Sequence, residues 1–450
     1  MRKRIASLAL ALAMCLGLTV PAAAEAYTSS ANIGHDSNNR SVMCYLYANE
    51  KGGLTRVERN EWDMTMLIEE YNSSYQRVSR RSLPNGTTFS GFYAGKDYNF
   101  LCFNSPNTNE DDNTEVFRVD KYSKDWQLLG SGSVRGANTV TMYGNNVQLA
   151  EKNGMLFVHT AHTMYKAADG KRHQANFSAA FRISDMALID SFHGAGGPAY
   201  VGHSLEGWQV LADQEDNLVM FEVGDGYPRA PVFHRLKGYA ASASVSGNAE
   251  RVLLFDIPGA KGDNTTGVVA SGLAETSNNY VLAYRANRGL PNAIIPGGPA
   301  DNYLAFVSKN GLSVKTVRLE SPEETTFPRL VPAGLNGGYA MWRSSQNNSE
   351  GTVYLASYSD GAVTSTQSLG KGALSDCPPV LYNGRLVWYV TRYSEPVFYG
   401  ADTTGIHTLN ASVTAPGTLG GSTVTPAQPV QPATAGGFTD VAASSPGAGS

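Results

Sequence analysis

The feature of this 450-residue sequence that most constrains its fold is a set of short apolar runs that recur at long, similar intervals. Successive runs stand 46 to 63 residues apart, and they contain, in order, Cys44, Cys102, Val158, Phe221, Ala283, Trp342 and Trp388. Several follow a second apolar run across an Asn-Gly turn, as at Asn153-Gly154 and Asn383-Gly384. Asn-Gly between two apolar runs is the strongest short signal for a β-hairpin. The sequence therefore predicts a long series of antiparallel strands.

A period of about 40 to 60 residues made only of strands is typical of a β-propeller. A four-stranded blade cannot bury both of its faces alone, so neighbouring blades stack and close a ring. We predict an all-β propeller over residues 27–412, with seven four-stranded blades. A pair of β-sandwiches and a β-helix are the alternatives, but sandwiches do not space their strongest runs so evenly, and a β-helix repeats about every 20 residues.

Two further expectations concern local structure. The segment from Met64 to Tyr71 is the best helix in the sequence, although it also fits a strand. An open propeller would leave unpaired edges, so we expect the N-terminal strand near Ser41 to pair with strands between Val397 and Leu409.

The first 26 residues have the pattern of a secretory signal peptide. Three basic residues, Arg2, Lys3 and Arg4, precede an uncharged apolar stretch, and an alanine-rich cleavage region follows it. The apolar stretch has about 15 residues, whereas a spanning helix needs roughly 20. We predict an exported protein, secreted or associated with the cell surface or cell wall, without a transmembrane segment in the mature chain.

The charge and cysteine content exclude several classes of protein. The formal net charge of −4 becomes −6 when a leader carrying three basic residues and Glu25 is removed, which argues against a nucleic-acid partner. The leader also carries one of the four cysteines, leaving Cys44, Cys102 and Cys377. An odd number argues against a disulfide framework, so we expect these three thiols to serve as small buried apolar groups.

Polar residues concentrate around the third and fourth apolar runs, where five of the eight histidines fall between positions 159 and 203. We take the following residues as candidate ligand-binding residues: His162, Tyr165, Lys166, His173, His203, Asp225 and Arg229. The alternative interpretation is that they tie long loops together by hydrogen bonds. No catalytic residue is assigned, since both the Gly-x-Ser-x-Gly and His-Glu-x-x-His patterns are absent.

No metal site or cofactor is predicted. His159 and His162 are three residues apart, and on a strand this spacing directs them to opposite faces. The acidic loop at 110–112 and the turn at 262–267 do not fit the calcium-loop pattern. A structural Ca²⁺ ion stays open as an alternative.

Residues 413–437 form an uncharged linker rich in Pro, Thr, Gly and Ala. The residues after it, Gly437-Phe438-Thr439-Asp440-Val441, resemble the opening of an S-layer homology repeat, a module that holds exported bacterial proteins to cell-wall polymers. The rest of that module places a Trp and a helix, which residues 442–450 lack. We therefore interpret residues 438–450 as the start of a truncated S-layer homology segment.

Several segments between about residues 140 and 400 resemble exported Gram-positive surface proteins of uncharacterised function, which carry propeller-like ectodomains ahead of such anchors. Examples are His162 to Lys166, Gly224 to Arg229 and Leu374 to Pro379. The resemblance implies a location and a fold but no activity.

From the residues and this resemblance we expect a glycan- or protein-binding module whose partner is a cell-wall polymer or an extracellular glycan or protein. The alternative is a polysaccharide-active hydrolase or lyase. Two carboxylates facing each other across the ring would favour an enzyme, and exposed Tyr and Trp side chains would favour binding.

Overall fold

The computed structural model describes residues 44–60, 65–84, 88–140, 143–244, 249–321, 324–344, 351–375, 377–392 and 395–410. The predicted signal peptide, the linker and the segment that resembles an S-layer homology repeat lie outside these residues. Among the described residues, no helix has the length and apolar character needed to cross a membrane.

The first two sheets share one plan, in which four antiparallel strands follow one another in sequence and in space. The first contains β1 (Cys44–Ala48), β2 (Leu54–Asn60), β3 (Thr65–Tyr71) and β4 (Arg77–Pro84). The second contains β5 (Thr88–Ala94), β6 (Asn99–Asn104), β7 (Glu115–Tyr122) and β8 (Leu128–Arg135). The best helical segment of the sequence, 64–71, thus contains the strand β3.

The middle of the chain forms one sheet of eight strands. They are β9 (Tyr143–Lys152), β10 (Met155–Lys166), β11 (Arg172–Arg182), β12 (Ala187–Phe192), β13 (Gly202–Ala212), β14 (Leu218–Tyr227), β15 (Arg229–Leu236) and β16 (Glu250–Leu253). A short helix, α1 (Tyr239–Ser242), precedes β16. The runs β9 to β12 and β13 to β16 meet in this sheet because Ala175 on β11 pairs with Gly202 on β13.

The last three sheets return to the plan of the first two. The first of them contains β17 (Val268–Glu275), β18 (Asn279–Asn287), β19 (Ala300–Ser308) and β20 (Val314–Leu319). The next contains β21 (Arg329–Pro332), β22 (Gly337–Arg343), β23 (Gly351–Ser359) and β24 (Ala362–Gly372). The last contains β25 (Val380–Tyr382), β26 (Arg385–Arg392), β27 (Glu395–Asp402) and β28 (Gly405–Thr408).

These sheets form a β-propeller. The first strand of one run contacts the first strand of the next from β5 through β9, β13, β17 and β21 to β25, and β25 in turn contacts β1. The prediction of an all-β propeller is therefore confirmed. The prediction of seven four-stranded blades is wrong, because the described chain has five four-stranded sheets and joins its eight remaining strands in one sheet through the pairing of β11 with β13.

Glycines let the innermost strands approach each other closely. At Gly207 on β13, a Cβ atom would lie only 2.0 Å from the carbonyl oxygen of Ala270 on β17, and the φ angle of +84° also favours glycine. The pairing of β13 with β14 shifts register between Ser204 and Trp208, which marks a bulge at this place. The glycine therefore allows two neighbouring inner strands to pack backbone against backbone.

In the part of the chain that the structure describes, contacts between side chains close the ring, and the first and last sheets share no strand. Among the described residues, β1 pairs only with β2, and β27 pairs only with β26 and β28. The expected pairing of the N-terminal strand with strands in 397–409 is therefore wrong, although Ser41 itself lies outside the described residues. Instead, Leu54 and Tyr71 of the first sheet share a buried apolar cluster with Tyr389 and Phe398 of the last sheet.

A buried ionic network crosses the same seam, which is the contact between the first and last sheets. The Arg56 side chain is fully buried, and its Nη1 lies 2.6 Å from Glu69 Oε2. Its Nη2 lies 2.8 Å from Glu58 Oε2 and donates a hydrogen bond to Thr391 Oγ1 at 3.0 Å. Tyr389 Oη also donates to Glu58 Oε2, at 2.9 Å. One cation thus ties residues of β2 and β3 to residues of β26.

The two ends of the ring differ in their loops. The loops after the second and fourth strands of each four-strand run lie at one end, here called the long-loop face, and include 105–114, 193–201, 254–267 and 288–299. Most loops after the first and third strands are shorter, and they form the short-loop face at the other end. Functional side chains are often carried by long loops on a rigid scaffold, so we expect a functional site on the long-loop face.

Candidate functional site

All seven candidate ligand-binding residues lie near strand ends on the long-loop face, but the structure brings only three of them together. His203 is at the start of β13, Asp225 is near the end of β14, and Arg229 begins β15. The turn between β14 and β15 and the loop 254–267 bring these strand ends against one another.

His203 and Asp225 form a hydrogen-bonded pair at the surface. The His203 Nδ1 atom lies 2.8 Å from Asp225 Oδ2, and the aspartate side chain is fully buried whereas 22% of the histidine side chain is exposed. The φ of His203 is +56°, which is uncommon for a residue other than glycine. We assign the Nδ1 proton to this bond, so that the lone pair of Nε2 is left free, and no described residue bonds to Nε2.

The environment of His203 favours the neutral imidazole. Burial lowers the pKa of His203, the Arg229 cation lowers it further, and the Asp263 carboxylate opposes both effects. A neutral imidazole that is oriented by a carboxylate can accept a proton or a hydrogen bond at Nε2. The pair is thus able to recognise a hydroxyl group or to act as a base.

Arg229 holds the pair in place and is itself almost fully buried. Its guanidinium contacts the Asp225 carboxylate and lies 3.0 Å from Asp263 Oδ1. It also donates to the Thr265 carbonyl at 2.6 Å, and the backbone N–H of Asn264 donates to Asp225 Oδ2 at 2.6 Å. Arg229 therefore acts as a positioning residue that fixes loop 254–267 against the β14–β15 turn.

An exposed aromatic side chain stands beside this cluster. Tyr227 is 63% exposed, and the Nζ atom of Lys261 lies 4.0 Å from the centre of its ring. We did not select either residue from the sequence as a site residue. An aromatic residue within the polar turn segment 224–229, just before a proline, was the available signal for Tyr227.

The other four candidates do not join this site. His162 is buried and its Nε2 donates to the His193 carbonyl at 2.8 Å, and burial lowers its pKa to about 4. Tyr165 Oη accepts a hydrogen bond from Asn107 at 3.1 Å. The backbone N–H of Lys166 donates to Glu110 Oε1 at 3.2 Å. The exposed His173 lies 2.9 Å from Asp169 Oδ2. These contacts match the alternative interpretation, in which such residues tie loops together.

The three cysteines of the described chain are buried, and none of them forms a disulfide. Within the described residues, no group of three or more His, Cys, Asp or Glu side chains is arranged to hold a metal ion.

Two clefts lie on the short-loop face, opposite the seven candidate residues. The larger has a volume of about 770 Å³ and the smaller about 250 Å³, and no candidate residue lines either of them. They are formed by hairpin turns of neighbouring sheets, so only the three-dimensional packing of those turns reveals them.

Comparisons with known proteins show no close relative. No protein-family model matches the sequence, and no curated protein matches it. Among solved structures, the oligogalacturonate lyase from Vibrio parahaemolyticus is similar over 84% of this chain and 92% of its own, with 11% identity and a TM-score of 0.45. The β-propeller domain of the Trilobed protease from Pyrococcus furiosus is similar over 82% of this chain and 98% of its own, with 10% identity and a TM-score of 0.41.

A third similar structure is the GH43_1 enzyme from Xanthomonas citri complexed with xylose, which covers 65% of this chain and 92% of its own with 12% identity and a TM-score of 0.29. Such values carry no argument about function, and the propeller assignment rests on the strand order of this chain.

Proposed function

We propose that this chain is an exported cell-surface propeller whose long-loop face binds an extracellular glycan. The observation that carries this proposal is the exposed ring of Tyr227, a residue that pairs with Gly202 and so lies next to His203 and its free imidazole edge in the sheet. An exposed aromatic ring offers a flat apolar surface to the C–H face of a sugar, and an imidazole nitrogen accepts a hydrogen bond from a hydroxyl group.

The buried residues Asp225 and Arg229 support binding because they preorganise the exposed side chains of the site. Arg229 and Asp225 hold His203 and the loop that carries Lys261, so little conformational freedom is lost when a ligand arrives. The four described tryptophans are all buried, so they do not contribute to an aromatic binding surface. Tyr227 is therefore the aromatic residue on which the proposal depends.

A glycan array with the full chain, run with and without EDTA, tests the proposal. We expect specific binding that is lost in Tyr227→Ala and weakened in His203→Ala. His173→Ala serves as the matched control, because it removes an exposed histidine from a different hairpin. Binding that survives Tyr227→Ala would contradict the assigned site, and silence on the array would favour a protein partner.

The His203–Asp225 pair favours a second candidate function, a polysaccharide lyase. A neutral imidazole backed by a carboxylate is suited to remove the proton next to a uronate carboxyl group. The electron pair of that C–H bond then forms a C=C bond, the bond between the ring carbon and the glycosidic oxygen breaks, and the oxygen leaves with a proton taken from water. A hydrolase is less favoured, since Asp225 and Asp263 are both paired with Arg229 and do not face each other across open space.

Ultraviolet absorbance of an unsaturated product, measured on polygalacturonate and alginate, tests the lyase. We expect His203→Ala to abolish the signal, while Tyr227→Ala lowers it through substrate affinity. If neither polymer gives a product, the lyase function is contradicted and only the binding function remains.

The surface location rests on the leader and on the likeness to an S-layer homology repeat. Detection of a chain that starts after Ala26 in the medium or wall fraction tests it.

A further inference from the structure

The two clefts of the short-loop face adjoin each other. The larger one lies between the turns β5–β6, β9–β10 and β11–β12, and Lys96 lines both clefts. We propose that together they form a groove that binds a neutral oligosaccharide. This groove is separate from the site on the long-loop face and does not depend on it. The larger cleft alone has a volume of about 770 Å³, which lies within the range of small-molecule binding sites.

The floor of the larger cleft combines aromatic and apolar groups. Tyr93 and Tyr98 are half-buried, and Ile183 is buried among the lining residues. The Tyr98 ring packs edge-on against Phe100 at 6.4 Å, and the Nζ atom of the buried Lys121 lies 5.0 Å from its centre. These contacts hold the ring in position, as a platform for a sugar ring requires.

The rim carries a free donor beside a free acceptor. The backbone N–H of Lys96 donates to Glu151 Oε2 at 3.0 Å, which fixes the turn, while the Lys96 ammonium group has no partner among the described residues. The neighbouring Asp97 carboxylate is exposed and likewise has no hydrogen-bond or ion-pair partner in the described part of the chain. A sugar hydroxyl both donates and accepts, so this pair of groups suits it.

The charges of the groove favour a neutral ligand over an anion. The two other cations of the larger cleft are already paired: Arg182 lies 2.7 Å from Asp185 Oδ2, and Lys152 lies 3.5 Å from Asp216 Oδ1. The carboxylate of Glu151 also faces the cleft. In the smaller cleft, the Lys124 ammonium group is already bonded to the backbone carbonyls of Gly95 and Tyr98. A phosphate or a polyuronate would meet the carboxylates of the groove as well as Lys96, so its binding would be opposed.

Isothermal titration calorimetry of the full chain with three probes, cellohexaose, xylohexaose and chitohexaose, tests the proposal. We expect at least one probe to bind, and the double variant Lys96→Ala/Asp97→Ala to weaken it by about tenfold or more. Both substitutions are at exposed side chains, so the fold is retained. Lys371→Ala, at an exposed lysine on β24, is the matched control and keeps full affinity.

A second pair of variants examines the floor. We expect Tyr98→Phe to bind and Tyr98→Ala to lose binding, because only the first keeps the ring. No heat with any probe, or equal affinity in the double variant, would overturn the proposal. Tyr227→Ala separates the two sites: unchanged binding supports the groove, whereas lost binding assigns the ligand to the long-loop face and refutes the groove.

Discussion

Replacing Arg56 by methionine should destabilise the ring at its seam. The guanidinium lies 2.6 Å from Glu69 and 2.8 Å from Glu58, and all three side chains are fully buried. Methionine fills much of the space but leaves two carboxylates buried without their cation. Removing one partner of such a group costs about 3–5 kcal/mol, a large part of the 5–15 kcal/mol that holds a typical protein folded.

The stability lost in Arg56→Met should become smaller as the pH falls. In the native chain burial is the largest single effect on Glu69 and opposes its ionisation, but Arg56, Tyr71 and Arg77 together hold the pKa of Glu69 below its ordinary value. This carboxylate therefore stabilises the fold above its unfolded pKa, and the contribution is lost as pH falls through the folded pKa. Without Arg56, the effect of burial on Glu69 is opposed only by Tyr71 and Arg77, so the pKa of Glu69 rises and protonation at lower pH relieves part of the buried charge.

Urea unfolding at pH 7 and pH 5, followed by circular dichroism, measures both effects. Arg77→Met is the matched control, because that partly exposed arginine also contacts Glu69 but should contribute only about 0–1 kcal/mol. The triple variant Arg56→Met/Glu58→Gln/Glu69→Gln should regain part of the loss, since no charge remains buried. Two outcomes would refute the reasoning. One is an Arg56→Met variant that loses no more free energy of unfolding than Arg77→Met does, and the other is an Arg56→Met variant whose loss is the same at pH 7 and pH 5.

Three further predictions concern other parts of the ring. Gly207→Ala should cost more than about 2 kcal/mol in urea unfolding, because its Cβ would meet the Ala270 carbonyl at 2.0 Å; Gly154→Ala, with a similar φ of +75° but open space, should cost less. His162→Gln keeps a donor for the His193 carbonyl but takes up no proton. Since burial lowers the pKa of His162 to about 4 from 6.5, native stability should fall by up to about 3 kcal/mol from pH 6.5 to 4, and the variant's pH slope should be shallower. An unchanged slope would contradict this. Deleting residues 27–50 removes β1 and should sharply lower the melting temperature; an unchanged value would show that β1 does not hold the seam.

The long repeat predicted the propeller because it reflects one strand in most four-strand runs. Six of the seven apolar runs lie on a second strand, such as Phe100 to Phe103 on β6 and Tyr280 to Ala283 on β18. In the first sheet the apolar run lies on β1 and not on the second strand, β2. The reason is that the buried residues of β2 include the charged Arg56 and Glu58, so the β2 sequence lacks an apolar pattern. A core strand that carries a buried charged network cannot be identified from its hydrophobicity pattern.

The sheet count and the site could be predicted only in part. The pairing of Ala175 with Gly202 depends on how two loops place their strand ends, which no local pattern specifies. The polar segments placed His203, Asp225 and Arg229 among the candidate residues, but only the structure shows that these three side chains meet. His162 has the same residue type but its ring is buried against Phe177, and composition cannot separate these two histidines.

The closure of the ring by side chains also bears on the order in which the molecule is completed during synthesis. Arg56 and Thr391 are 335 residues apart in the sequence, yet they form a direct hydrogen bond. A growing chain carries the Arg56 cation long before its last partner has been made, and contacts this distant are the slowest to form. The earlier sheets can stack as they emerge, but the seam waits for the final hairpins, so the N-terminal sheet remains the last to be locked although it is the first to be made.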